Sequence, residues 1–276
     1  MNPLPFTTWG EPSSDTPIYF AHANGYPPGS YQSIIDALLA YRPVVAYHQR
    51  PLWQPTPEPK DLHHWQQLAD DVIRFFDQQR LRNVVAVGHS LGSVTAFMAA
   101  QKRPDLIKAL VMIEPVALPW LACFLTRVFP GLVKRRVSII QKALRRPNRF
   151  ESRQAAFDFH RKARAFQRLD DANLWHYINA GVHPVNGAYE LTYPREWEAR
   201  VYATATYFRR QLKTSTLPVL GMRGGHSDTI SAAFWRQWPI NPHHQFAAFP
   251  DYGHLLPLEH PAGVVQAMQP FLEQHL

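Results

Sequence analysis

Gly88-His89-Ser90-Leu91-Gly92 follows a continuous apolar run, residues 83–87, and opens a stretch of helical character over residues 91–102. A serine at such a strand-to-helix turn is pushed out above the end of its strand, where its oxygen can attack an electrophilic carbon. The flanking glycines suit a place where strand, turn and helix pack too closely for side chains. A serine hydroxyl is a weak nucleophile until a base takes its proton. Of the fourteen histidines, His254 is best placed to do so, because Pro250 to Gly253 leads from the last strand-like run towards the last helix. His63, His64, His243 and His244 fall in less telling segments and read as surface residues; His89 belongs to the turn itself and reads as packing.

A histidine base needs a carboxylate to fix its tautomer and to stabilise its charged form. Two candidates stand just past the ends of apolar runs. Asp228 closes Gly224-Gly225-His226-Ser227-Asp228 after residues 217–222, and Glu114 follows directly on residues 109–113. The chain order Ser90, Asp228, His254 favours Asp228, with Glu114 as the alternative acid. Acyl transfer also requires donors for a tetrahedral oxyanion. The amide of Leu91, at the start of a helix, is one. The amide of Asn24, in His22-Ala23-Asn24-Gly25 after an early strand, is the expected second.

These residues must be held by the elements around them. Strand-length apolar runs recur at residues 18–21, 43–47, 83–87, 109–113, 217–222 and 245–249. Helical patterns fall at 31–40, 61–80 (with Asp61 as a candidate cap), 91–102 and from Pro261 onward. Such alternation predicts a mostly parallel sheet covered by helices on both faces. The rhythm breaks between about residues 116 and 200, a stretch rich in aromatic and basic residues with no convincing strand. The expected organisation is therefore a core of residues 1–116 and 202–276, with residues 117–201 inserted as a helical cap.

Composition narrows the field further. Hydrophobic residues make up 46% and charged residues 18%, as in a globular protein with ample core material. A single cysteine, Cys123, excludes an intrachain disulfide framework. The N-terminus has no signal-like pattern and no stretch is long and apolar enough for a membrane span, so a cytoplasmic location is expected. The net charge of +8 is uneven: between Arg127 and Arg168 thirteen Lys or Arg residues face only Glu151 and Asp158. The plainest reading is a solvated helical face. Attraction for anionic substrates or membrane surfaces is the alternative, though membrane-surface contact through this basic cap is not the expected role; no nucleic-acid motif accompanies the cluster. Residues 118–132 carry Trp120, Leu121, Phe124, Leu125, Val128 and Phe129 at helical spacing. They suit packing on the body, an apolar acyl pocket, or a lipid interface.

The loop at His22 to Gly25, the turn at Gly88 to Gly92, the segment Gly224 to Asp228, and Gly253-His254 with Pro257, Glu259 and Pro261 behind it together resemble the α/β-hydrolase superfamily. That resemblance implies the α/β-hydrolase fold with a cap, a Ser-His-Asp triad, a covalent acyl-enzyme, and no metal or organic cofactor. It makes cleavage of a carboxylic ester or related acyl bond the expected reaction, on a small molecule with an apolar acyl or alcohol group. A C–C bond hydrolase, an acyltransferase, a perhydrolase, or a non-catalytic binding protein on this scaffold are the alternatives. Two departures matter. Many relatives have His-Gly where this chain has His22-Ala23, and relatives that open epoxides or remove halides carry an aspartate where this chain has Ser90.

Overall fold

The apolar runs form strands because their β-branched and small residues fill both sides of a pleated surface. The computed structural model describes residues 3–11, 15–129, 136–238 and 241–276. In the body these are strands β1 (Phe6–Trp9), β2 (Ile18–Ala21), β3 (Val44–Tyr47), β4 (Val84–His89) and β5 (Ile107–Ile113). Helices α1 (Gln32–Leu38), α2 (Gln66–Gln79) and α3 (Leu91–Lys102) lie between them. The inserted segment holds α4 (Trp120–Val128), α5 (Ser138–Arg145), β6 (Arg149–Phe150), α6 (Arg153–Arg161), α7 (Asp171–Gly181), β7 (Val182–Val185), β8 (Ala188–Leu191) and α8 (Arg195–Ala203). The chain returns to the body through α9 (Arg209–Thr214), β9 (Val219–Gly224), α10 (Ala232–Gln237), β10 (His244–Phe249), α11 (Leu256–Glu259) and α12 (Pro261–His275).

The main sheet has seven strands in the order β1-β3-β2-β4-β5-β9-β10, parallel throughout except for β1 against β3. Alternate residues feed two separate cores. Tyr19, Ala21, Val84, Ala86, Leu110 and Met112 belong to one; Ile18, Phe20, Val85, Val87, Val111 and Ile113 belong to the other. This period of two is what a sheet covered on both faces requires. Each fully buried Val, Leu or Ile side chain contributes about 1.5–3 kcal/mol relative to exposure, so the central strands anchor whatever sits at their ends.

Three expectations are corrected here. The edge strand β1 was not anticipated, because Phe6-Thr7-Thr8-Trp9 is half-exposed and carries little apolar signal. The inserted segment is not purely helical: β6, β8 and β7 make a small antiparallel sheet. Its hairpin turns on Asn186-Gly187, both with positive φ (46° and 77°), a dipeptide suited to tight two-residue turns. Finally, Asp61 sits in a short 3₁₀ turn and does not cap α2, which begins at Gln66. Residues 130–132, the end of the apolar stretch read as helical, lie outside the described residues.

Candidate active site

The chain reverses sharply between β4 and α3, and Ser90 sits at the reversal with φ 52° and ψ −122°. Two close approaches make this turn possible. A Cβ on Gly88 would lie 2.6 Å from Ser93 Cα, and one on Gly92 would lie 2.2 Å from the Ala21 carbonyl oxygen. No side chain fits at either position. The Ser90 amide donates to the Ile113 carbonyl (2.9 Å), and the Ser93 hydroxyl donates to the Ser90 carbonyl (2.7 Å). The turn is thus tied both to β5 and to its own helix.

His254 reaches Ser90 from the loop after β10, with Nε2 3.0 Å from Ser90 Oγ. Two bonds hold that loop. The Glu259 carboxylate accepts the Gly253 amide (2.6 Å), and His89 Nε2 donates to the His254 carbonyl (2.8 Å). His89 is fully buried, and desolvation holds its imidazole well below its ordinary pKa, so it stays neutral. Its Nδ1 accepts from the Tyr31 hydroxyl (2.8 Å), which in turn accepts from the Ala23 amide (3.2 Å). The residue read as packing therefore links the loop bearing Asn24 to the loop bearing His254.

The far side of His254 meets the alternative acid, Glu114, and not the favoured Asp228. Nδ1 lies 3.2 Å from Glu114 Oε2 and 3.0 Å from Thr229 Oγ1. Asp228 is exposed on the turn after β9 and makes no hydrogen bond to His254. The reason is topological. β5 pairs directly with β4, and Glu114 continues β5 with its amide donating to the Met222 carbonyl (2.9 Å). A left-handed backbone at Glu114 (φ 49°) accompanies this placement. Glu114 has no exposed surface, yet its carboxylate is well satisfied. Oε1 accepts the Gly224 amide (2.6 Å), while Oε2 accepts the hydroxyls of Ser227 (2.5 Å) and Thr229 (3.1 Å). A buried carboxylate without such donors would be costly. Ser227 and Thr229 are the residues that sequence reasoning missed. They flank the favoured Asp228, and the signal was a hydroxyl on either side of it.

Asn24 lies in the loop after β2, and Leu91 opens α3 directly after Ser90. The Asn24 side chain accepts from the Tyr193 hydroxyl (2.8 Å) and donates to the Glu198 carbonyl (3.1 Å), both in the inserted segment. Among the described residues nothing accepts the backbone amide of either Asn24 or Leu91. His22 is held by structure alone. Its Nδ1 donates to the Ala23 carbonyl (3.0 Å), Nε2 accepts the Gln49 amide (3.2 Å), and burial pushes its pKa down to about 3. Beside this loop the inserted segment places a charged pair, with Arg146 Nη2 2.6 Å from Glu198 Oε2. Tyr202 stands 3.5 Å from the same carboxylate, and burial raises its phenol pKa well above the ordinary value. Elsewhere in the inserted segment Phe157 stacks on Trp175 (4.5 Å), while Phe166 and Tyr177 lie tilted against each other (4.8 Å) and both contact Tyr26. His244, read as a surface residue, is buried and accepts from the Trp238 indole (3.0 Å).

The described residues contain no cluster of His, Cys, Asp and Glu able to hold a metal ion. Local matches among characterised proteins are short. The pea (Pisum sativum) strigolactone esterase RMS3 is 26% identical over 106 residues, 37% of this chain and 40% of that protein. Ethanol acetyltransferase 1 of Cyberlindnera jadinii is 35% identical over 78 residues, 28% of this chain and 22% of that protein. Solved structures match over nearly the full length at low identity. E-2-(acetamidomethylene)succinate hydrolase superposes with a TM-score of 0.72 at 20% identity, covering 93% of this chain and 91% of the other. A marine microorganism esterase gives 0.70 at 22% identity, covering 98% and 99%. The sequence model for the alpha/beta hydrolase fold matches residues 16–261. With that match, the strand order and the Ser90 turn in agreement, the chain belongs to the α/β-hydrolase fold family.

Proposed function

We propose that this protein hydrolyses a carboxylic ester or a related acyl bond through Ser90, His254 and Glu114, with the amides of Leu91 and Asn24 as the oxyanion donors. The observation that carries this reading is the continuous path from Ser90 Oγ through both ring nitrogens of His254 to Glu114 Oε2. His254 Nε2 takes the proton of Ser90 as the oxygen attacks the acyl carbon. Nδ1–H, shared between Glu114 and Thr229, keeps the ring in the tautomer whose Nε2 can accept. The oxyanion that forms faces the two unclaimed amides, a preorganised arrangement that costs no reorganisation at the moment of reaction. The same histidine then gives its proton to the leaving group, and afterwards activates the water that cleaves the acyl-enzyme.

Labelling with a fluorophosphonate probe tests this directly. Modification confined to the peptide holding Ser90, and absent in Ser90→Ala, is expected. An unlabelled wild-type protein that also shows no turnover on an ester panel would refute the reading. One observation favours a second outcome, transfer of the acyl group to an alcohol in place of water: the similarity of a 78-residue stretch to an ethanol acetyltransferase. Product analysis in the presence of a competing alcohol distinguishes the two.

A further inference from the structure

Helix α4 is amphipathic in the reverse sense. Its small residues Ala122, Cys123 and Thr126 turn towards the protein, and Cys123 joins the body core. Its large apolar residues Trp120, Leu121, Phe124, Leu125 and Val128, with Phe129 just after it, are 40 to 58% exposed. At 100° per residue these six span half the helix circumference, and Trp120 and Phe124 stack on each other at 5.1 Å in the open. Val137 and Ile139 are exposed as well, at the start of α5. An apolar face of this extent on a folded chain marks a contact surface.

Its surroundings identify what it meets. Arg127 stands exposed on α4 itself, and Arg136, Lys142 and Arg145 are exposed on the next described segment. Six residues lie between Phe129 and Arg136, so the chain holds the two within about 25 Å even when fully extended. A second copy packing symmetrically on α4 would bring these cations towards their own counterparts. An apolar face with Arg127 on the same helix, followed closely in the chain by further exposed cations, instead matches a lipid surface with negative headgroups, where rings and aliphatic chains enter the interface and cations meet the phosphates.

We infer that α4 and its basic border seat this protein on anionic membrane surfaces. The inference is independent of the reaction proposed for Ser90. It selects the lipid interface among the three readings the sequence left open for these side chains, and it revises the expectation that the basic residues form only a solvated face.

Sedimentation with vesicles tests the inference on the intact chain. The two lipid mixtures are phosphatidylcholine alone and phosphatidylcholine mixed equally with phosphatidylglycerol. Wild type should bind the mixed vesicles far more strongly than the neutral ones, and added salt should weaken that binding. Arg136→Gln with Lys142→Gln should lower the affinity for mixed vesicles by about fivefold per charge removed. Leu121→Gln with Phe124→Gln should abolish binding to both mixtures. All four side chains are exposed, so unchanged thermal unfolding confirms that each variant is folded. Equal binding by wild type and the Leu121/Phe124 variant overturns the inference, as does no binding by either. So does a wild-type dimer in light scattering that this variant converts to monomer, since a second copy would then be the occupant.

Discussion

The ends of β5 and β9 each present a carboxylate within a few residues of the strand, and the two fare differently. Glu114 leaves β5 beside the nucleophile strand, fully buried, and every donor around it comes from the β9 loop or from His254. Asp228 rides on the outside of that same β9 loop, exposed to solvent. The loop after β9 thus lies beside the histidine and contributes the hydroxyls of Ser227 and Thr229. Which strand carries the charge matters less than which group is dry, held on several sides, and aligned with Nδ1.

The largest effect that could break this contrast is exchange of each acid for its amide. Glu114→Gln should lower kcat by about 10³–10⁴-fold, the scale seen when a triad carboxylate becomes an amide. Asp228→Asn should stay within about twofold, as expected for a surface substitution. Steady-state kinetics on one ester with both variants would decide it, and the reverse pattern would restore Asp228 as the acid. A finer test removes the hydroxyl donors. Ser227→Ala with Thr229→Val should cost about 10–100-fold in kcat with little change in KM, about the worth of a single hydrogen bond to a charged group (about 1.5–3 kcal/mol), because the Gly224 amide and His254 still hold Glu114. An unchanged kcat would mean that Glu114 needs neither.

Acid stability supplies a third measurement. Burial holds His22 at about 3, and His160 and His244 at about 4, so each is neutral in the fold but protonates near 6.5 once unfolded. A depressed histidine pKa contributes stability that is complete above the unfolded value and is lost as pH falls below it. Between pH 6.5 and 4 the two most deeply buried, His22 and His160, should each remove about 1 kcal/mol per pH unit, and His244 less, because solvent screens it more. Urea midpoints at pH 7.5, 6 and 5 should therefore fall progressively, and midpoints that do not move would contradict the buried, neutral assignment. The smallest effect is expected at Tyr31. Tyr31→Phe removes the bond to His89 Nδ1 and should lower kcat by about tenfold or less, since one neutral hydrogen bond contributes about 1 kcal/mol. A loss as large as that of Glu114→Gln would mean that the Tyr31–His89 link is part of the chemistry itself.

Much of this was legible in the chain. The six apolar runs became parallel strands because continuous β-branched segments have few other ways to be buried on both sides. The turn at Ser90 was legible because its glycines meet a steric demand that only glycine satisfies. The partner of His254 was not, because sequence order cannot say which of two strand ends points its carboxylate inward. That depends on β5 lying next to β4, a pairing between residues far apart in sequence. The direction of α4 was equally hidden. Helical spacing reveals that an apolar stripe exists, but not whether the stripe faces the protein or away from it.

The two bonds that pin Asn24 come from the inserted segment, from the Tyr193 hydroxyl and the Glu198 carbonyl. In the proposed reaction the body supplies nucleophile, base and acid, while the loop bearing one proposed oxyanion donor is clamped by groups of the inserted segment. Any displacement of the insert large enough to part these bonds would also unclamp Asn24. Under the reaction proposed for Ser90, the seating of the inserted segment therefore governs how firmly one of the two proposed oxyanion donors is held.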